Sequence, residues 1–100
     1  MLDKSQTIEL PHSREIEMNV LGHMMTNTYA LSYGCELLNE EDFYYNEHRM
    51  IFKKLNEMAC QDQGADLLIL HEKLKTDEQF IASGGLDYLM NLSQYSVFYH

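Results

Sequence analysis

Asn46-Glu47-His48-Arg49-Met50-Ile51-Phe52-Lys53-Lys54-Leu55-Asn56-Glu57-Met58-Ala59-Cys60, followed by Gln61-Asp62-Gln63-Gly64, is the stretch that decides the fold. His48, Ile51, Phe52, Leu55, Met58 and Ala59 recur at i, i+3, i+4 spacing, with charged and polar residues between them. That is the period of an amphipathic helix with one apolar stripe. Asn46 has the side chain of an N-cap, and Gly64 suits a C-terminal stop.

Working outward, the same period returns on both sides. Toward the N-terminus, Asn39-Glu40-Glu41-Asp42 is a polar break before Phe43-Tyr44-Tyr45. A helix from about Tyr29 to Leu38 is expected to bury Leu31, Cys35 and Leu38, with Gly34 a weak point or a place of close packing. Pro11 ends any preceding helix and Ser13 caps the next. Glu15 and Glu17 stand in its first turn, where carboxylates favour the helix dipole. Ile16, Val20, Leu21, Met24 and Met25 follow at helical spacing as its apolar face. Toward the C-terminus, Asp66 caps a short helix through Leu67, Leu70 and Leu74. Ser83-Gly84-Gly85 is a turn, preceded by a helical turn with Phe80 and Ile81. A last helix carries Leu86, Leu89, Met90 and Leu92.

Period-two alternation is absent over any useful length. The fold class is therefore all-α: a compact bundle of about five or six short helices in a single domain. Phe43, Ile51, Phe52, Leu55, Leu74 and Leu89 are its predicted core. Residues 1–10 are polar and aperiodic and read as a mobile tail, and residues 11–93 as the folded body. Residues 94–100 hold three aromatics and no charge, so they read as the truncated start of a following helical element and the chain as a fragment.

Composition narrows the function. The net charge is −9, with seven Lys and Arg scattered along the chain. DNA and anionic membranes are bound mainly through cations, so this is a poor surface for either by itself. It suits a partner with a basic face. Cys35 and Cys60 lack motif spacing and are expected as free, buried thiols in a reducing compartment. The N-terminal stretch has no apolar run of signal-peptide length, and nothing approaches a membrane span. The cytoplasm is the expected location.

Catalytic chemistry finds no foothold. Histidines at 12, 23, 48, 71 and 100 form no ligand spacing with one another or with cysteine. His48 sits at the edge of an apolar stripe and is expected to be packed and hydrogen-bonded. Glu40-Glu41-Asp42 reads as a solvated run, because consecutive loop residues point apart. Gly84-Gly85 lacks the Lys and Ser/Thr of a phosphate loop. No catalytic, cofactor-binding or metal residue is assigned.

The order and spacing of these words carry a resemblance. Pro11-His12-Ser13, Glu15, Glu17, Val20-Leu21-Gly22, Asp42-Phe43-Tyr44, His48-Arg49, Ile51-Phe52, Gly64, Asp66-Leu67, Leu70, Leu74, Gly84-Gly85, Tyr88-Leu89 and Leu92-Ser93 together resemble the N-terminal domain of DnaB-type replicative DNA helicases. Three departures from that pattern stand out. Arg14 and Ile16 stand where apolar and small residues are usual, which alters the exposed face of the first helix. Ile69 replaces a usual Thr cap, leaving the capping to Asp66. Tyr95-Ser96-Val97 stands where the family commonly has a Pro.

The resemblance implies a non-catalytic collar domain of an ATP-dependent DNA helicase involved in DNA replication. It implies other helicase subunits and primase as partners, with a hexameric ring in the parent and a monomer or weak dimer for this chain alone. ATP and magnesium would belong to a motor domain that these residues do not contain. DNA would be engaged by the parent protein rather than by this domain. Glu15 and Tyr88 match the family's recognition positions and are the candidate partner-binding residues, with Arg14 and Asp87 as neighbours. The competing reading is a stand-alone acidic helical adaptor that binds and regulates a helicase or primase.

Overall fold

The computed structural model describes residues 13–99, with side chains described to Tyr95. Six α-helices follow one another among the described residues: α1 Arg14–Thr26, α2 Thr28–Leu37, α3 Asn46–Cys60, α4 Leu67–Leu74, α5 Glu78–Ser83 and α6 Gly85–Tyr99. A 3-10 turn, Glu40–Asp42, precedes α3. The expected mobile tail at residues 1–10 lies outside the described residues.

Caps fix most of the helix starts. Ser13 Oγ accepts from Ile16 N at 3.2 Å to open α1. Asn27 is the whole connection between α1 and α2: its N–H closes α1 onto the His23 carbonyl, and its side chain accepts from Ala30 N. Asp66 accepts from Leu68 N and Ile69 N, so it supplies the cap that Ile69 cannot. Asp77 does the same for α5 through Phe80 N. Gly84 ends α5 with φ 124°, a value that favours glycine.

The core is one cluster at the centre of the bundle. Ile51, Phe52, Leu55 and Met58 of α3 are buried against Leu21, Met24 and Met25 of α1. Leu70 and Leu74 of α4, Phe80 of α5, and Leu89 and Leu92 of α6 belong to the same cluster, with α6 packed most extensively against α1. Removing any one of these large side chains to Ala should cost about 2–5 kcal/mol. Gly34 lets α2 lie close on α1: a Cβ there would stand 2.6 Å from Met24 Sδ.

Several local expectations are corrected. Asn46 is the first helical residue of α3 and Tyr45 is its cap, with no side-chain hydrogen bond. α3 ends at Cys60, before Gly64, because Asp62 already turns left-handed at φ 62°. Ile16 is 61% exposed rather than part of the apolar face of α1. Cys35 is half-buried and Cys60 exposed, and both are free thiols. Of the last helix, Leu89 and Leu92 are buried while Met90 is exposed. α6 runs unbroken through Tyr99, since Ser96 and Val97, unlike a proline, keep their backbone donors.

Candidate functional site

A chain of polar side chains joins α1, α3, α6 and the segment between the 3-10 turn and α3. Glu17 of α1 is only 7% exposed. Its Oε2 accepts from Tyr44 N at 2.7 Å, and its Oε1 accepts from Tyr45 N at 3.4 Å. His48 of α3 is fully buried, with Nδ1 2.7 Å from Glu17 Oε1 and Nε2 2.5 Å from the Tyr88 hydroxyl of α6. Arg14 closes the series, donating to Glu47 Oε2 at 2.6 Å and to the Tyr88 hydroxyl at 3.1 Å. Its guanidinium lies 4.7 Å from the Tyr45 ring centroid and 5.6 Å from that of Tyr88. Arg49 donates from Nε to the Phe43 carbonyl at 2.6 Å, fixing the same segment from outside.

These partners assign the protons. Glu17 accepts, so His48 Nδ1 donates to it. His48 Nε2 is then an acceptor for the Tyr88 O–H, and the Tyr88 oxygen receives the Arg14 N–H. The electrostatics agree. Burial is the largest influence on His48 and pushes it below its ordinary value, despite the hydrogen bond and charge of Glu17. Burial also raises the Tyr88 hydroxyl, which stays protonated. For Glu47, burial acts upward but is outweighed by its own backbone donor and by Arg14, and the carboxyl lies lower than usual. Arg14 mirrors this: burial acts downward, and Glu47 with Tyr88 carries the net value upward.

The Glu17–His48–Tyr88 order has the outline of an acid–base relay, yet its imidazole is closed off from any substrate. The imidazole has no exposed surface and both its nitrogens are engaged. The network positions helices instead. Among the described residues, no group of three or more His, Cys, Asp or Glu side chains can hold a metal ion. The Gly84-Gly85 turn leads into Leu86-Asp87 without a Lys, so these residues do not fit a nucleotide phosphate. No helix among the described residues is long and apolar enough to cross a membrane.

The structure brings together two of the four candidate partner residues. Arg14 and Tyr88 are bonded, and Tyr88 is half-buried with its hydroxyl turned inward to His48. Glu15 and Asp87 are exposed in the first turns of α1 and α6. Sequence reasoning missed Glu17 and Glu47 as network members. The available signal was a carboxylate in register with Leu21 and Met24 on α1, facing a histidine in register with Ile51 and Leu55 on α3.

The model of the family described as DnaB-like helicase N terminal domain matches residues 9–98. The chain belongs to the DnaB-like helicase N-terminal domain family. It is 36% identical over 83 residues to the replicative DNA helicase DnaB of Treponema pallidum, covering 83% of this chain and 19% of that protein. The corresponding protein of Pasteurella multocida is 34% identical over 89 residues, 89% of this chain and 19% of the relative. The chain thus spans about a fifth of the length of the curated relatives it matches. The crystal structure of the N-terminal domain of DnaB helicase from Mycobacterium tuberculosis superposes with a TM-score of 0.76 at 25% identity, covering 85% of this chain and 59% of that one. The all-α bundle is the fold of the DnaB N-terminal domain.

Proposed function

We propose that this domain is the non-catalytic collar of a replicative DNA helicase, joining subunits and receiving primase at the replication fork. The observation that carries the reading is the match of nearly the whole chain to about a fifth of each DnaB relative, together with the shared fold. In this reading ATP and magnesium act in a motor domain elsewhere in the parent protein, DNA is engaged by the parent hexamer, and the cytoplasm is the place of action. Glu15, Asp87, Arg14 and Tyr88 form the primase-receiving face. The buried network supports that assignment physically, because it holds Arg14 and Tyr88 against α3 and so presents a rigid surface. Rigid contact residues lose little freedom on binding, which favours affinity.

Titration calorimetry of the chain against its cognate primase tests the reading. Binding with no nucleotide hydrolysis and no salt-dependent duplex binding by the chain is expected. Tight duplex binding that weakens with salt would contradict it.

A further inference from the structure

The two cysteines are distant in the chain and neighbours in the bundle. Cys35 lies on α2, and Cys60 is the last residue of α3. Both are free thiols. The two helices pack together and run in opposite directions. Thr28 and Leu31, at the start of α2, line one small hollow with Gly64 and Ala65, just beyond the end of α3. Only residues 38–45 join the other two ends.

That register brings the thiols together. Cys35 follows Leu31 by four positions, one turn along the same face of α2. Cys60 precedes Gly64 by four positions. Cys35 is half-buried against the core, and so is Ala59, the residue before Cys60. The electrostatics agree. Burial raises the Cys35 thiol, and the Cys60 sulfur is close enough to raise it further.

Exposure sets an order of reaction. Cys60 is exposed and Cys35 only half so, so a reagent in solution meets Cys60 first. Cys60 is followed by the turn at Gln61 and Asp62 rather than by more helix. Its terminal position lets it shift toward α2 without moving the Ile51–Met58 stripe.

We infer that Cys35 and Cys60 form a thiol–disulfide modification site whose substrate is a low-molecular-weight disulfide such as oxidised glutathione. The Cys60 thiolate attacks one sulfur of the reagent, whose S–S bond breaks and releases one glutathione thiolate. The Cys35 thiolate then attacks the Cys60 sulfur of the mixed disulfide and expels the second glutathione. Two protein thiols are oxidised to one disulfide, one reagent disulfide is reduced to two thiols, and the two protons pass to the leaving thiolates. Excess thiol reverses both steps and keeps the pair reduced. Closed, the bond ties α2 to the end of α3. The site shares no residue with the proposed primase face.

The test treats the full chain with oxidised glutathione and follows the products by mass spectrometry and non-reducing peptide mapping. The expected end product is a monomer lighter by two hydrogens, with Cys35 linked to Cys60. Cys35→Ser should stop at a stable glutathione adduct on Cys60. Cys60→Ser should react about tenfold more slowly at its remaining, half-buried thiol. The intramolecular step should run faster in the folded chain than in urea, because the fold holds the two thiols together. The oxidised chain should unfold about 5 °C or more above the reduced one. A lasting glutathione adduct on Cys60 of the unsubstituted chain, a disulfide between two chains, cross-linking no faster than in urea, or a lowered unfolding midpoint would each overturn the inference.

Discussion

His48 and Glu17 lie 31 positions apart in the chain, and the buried imidazole donates to the buried carboxylate at 2.7 Å. Neither group is comfortable in an apolar core alone. Together they satisfy each other, and the carboxylate's second oxygen takes the Tyr44 N–H ahead of α3. The pair therefore sets how α1 meets α3 and how the Phe43–Tyr45 segment enters α3.

Replacing Glu17 by Ala leaves the His48 donor and the Tyr44 and Tyr45 amides without their acceptor. The fully buried His48 donor costs about 1–3 kcal/mol when it loses its acceptor, and the part-buried amides cost less because water can replace it, so a loss of about 2–3 kcal/mol is expected. Urea unfolding should show it as a lower midpoint with an unchanged slope. A loss under about 0.5 kcal/mol, the level of an ordinary surface change, would mean that Glu17 is only a helix-dipole partner.

Acid should weaken the fold through His48. Its value in the folded state is depressed, so the unfolded chain binds a proton first as pH falls. This contribution is fully present above the ordinary histidine value of 6.5 and is lost as pH drops below it toward the folded value. Glu47, also depressed, adds a further loss below its ordinary 4.5. Unfolding midpoints measured from about pH 7.5 to about pH 5 should decline, and His48→Gln should flatten that decline. Parallel curves for both proteins would refute the assignment.

Gly34→Ala opposes two effects of similar size. Alanine gains about 1 kcal/mol of helix propensity. Its Cβ meets Met24 Sδ at 2.6 Å, and Met24 is only 2% exposed. Overpacking of this kind costs about 1–3 kcal/mol, so a net loss of about 1 kcal/mol is expected. In a Met24→Ala background the same change should become stabilising, and a thermal double-mutant cycle would read the coupling.

Asp66→Ala removes the acceptor of the Leu68 and Ile69 amides. About 1 kcal/mol should be lost, and Ile69→Thr should not restore it, since position 69 is already inside α4. Chemical denaturation of both variants checks this.

The helices were legible because each carries its own evidence: the Ile51–Met58 stripe, the Asp66 cap and the Gly84 turn are local. Ile16 was misplaced because spacing gives a face but not what covers it: Ile16 is 61% exposed while its neighbours Glu17 and Met18 are buried. Asn46 was misread because a good capping residue stood one position too late, and the backbone turned at Tyr45 to let Glu17 reach its amides. Glu17 looked like a first-turn carboxylate, and its true partners lie on elements that only the tertiary fold brings near. Glu15 and Tyr88 were named from resemblance. The geometry adds that Tyr88 has an inward bond and Glu15 none of that network, so the two should respond differently to substitution.

That difference makes the titration of the cognate primase with Glu15→Ala and Tyr88→Ala the most direct test of the collar reading. Glu15→Ala should weaken binding by about 1 kcal/mol, roughly fivefold, with the unfolding midpoint unchanged. Tyr88→Ala should weaken it at least as much and should also lower the midpoint, through the loss of its bonds to His48 and Arg14. Unchanged primase affinity in both variants would contradict the account and remove this face from the collar's contact with primase.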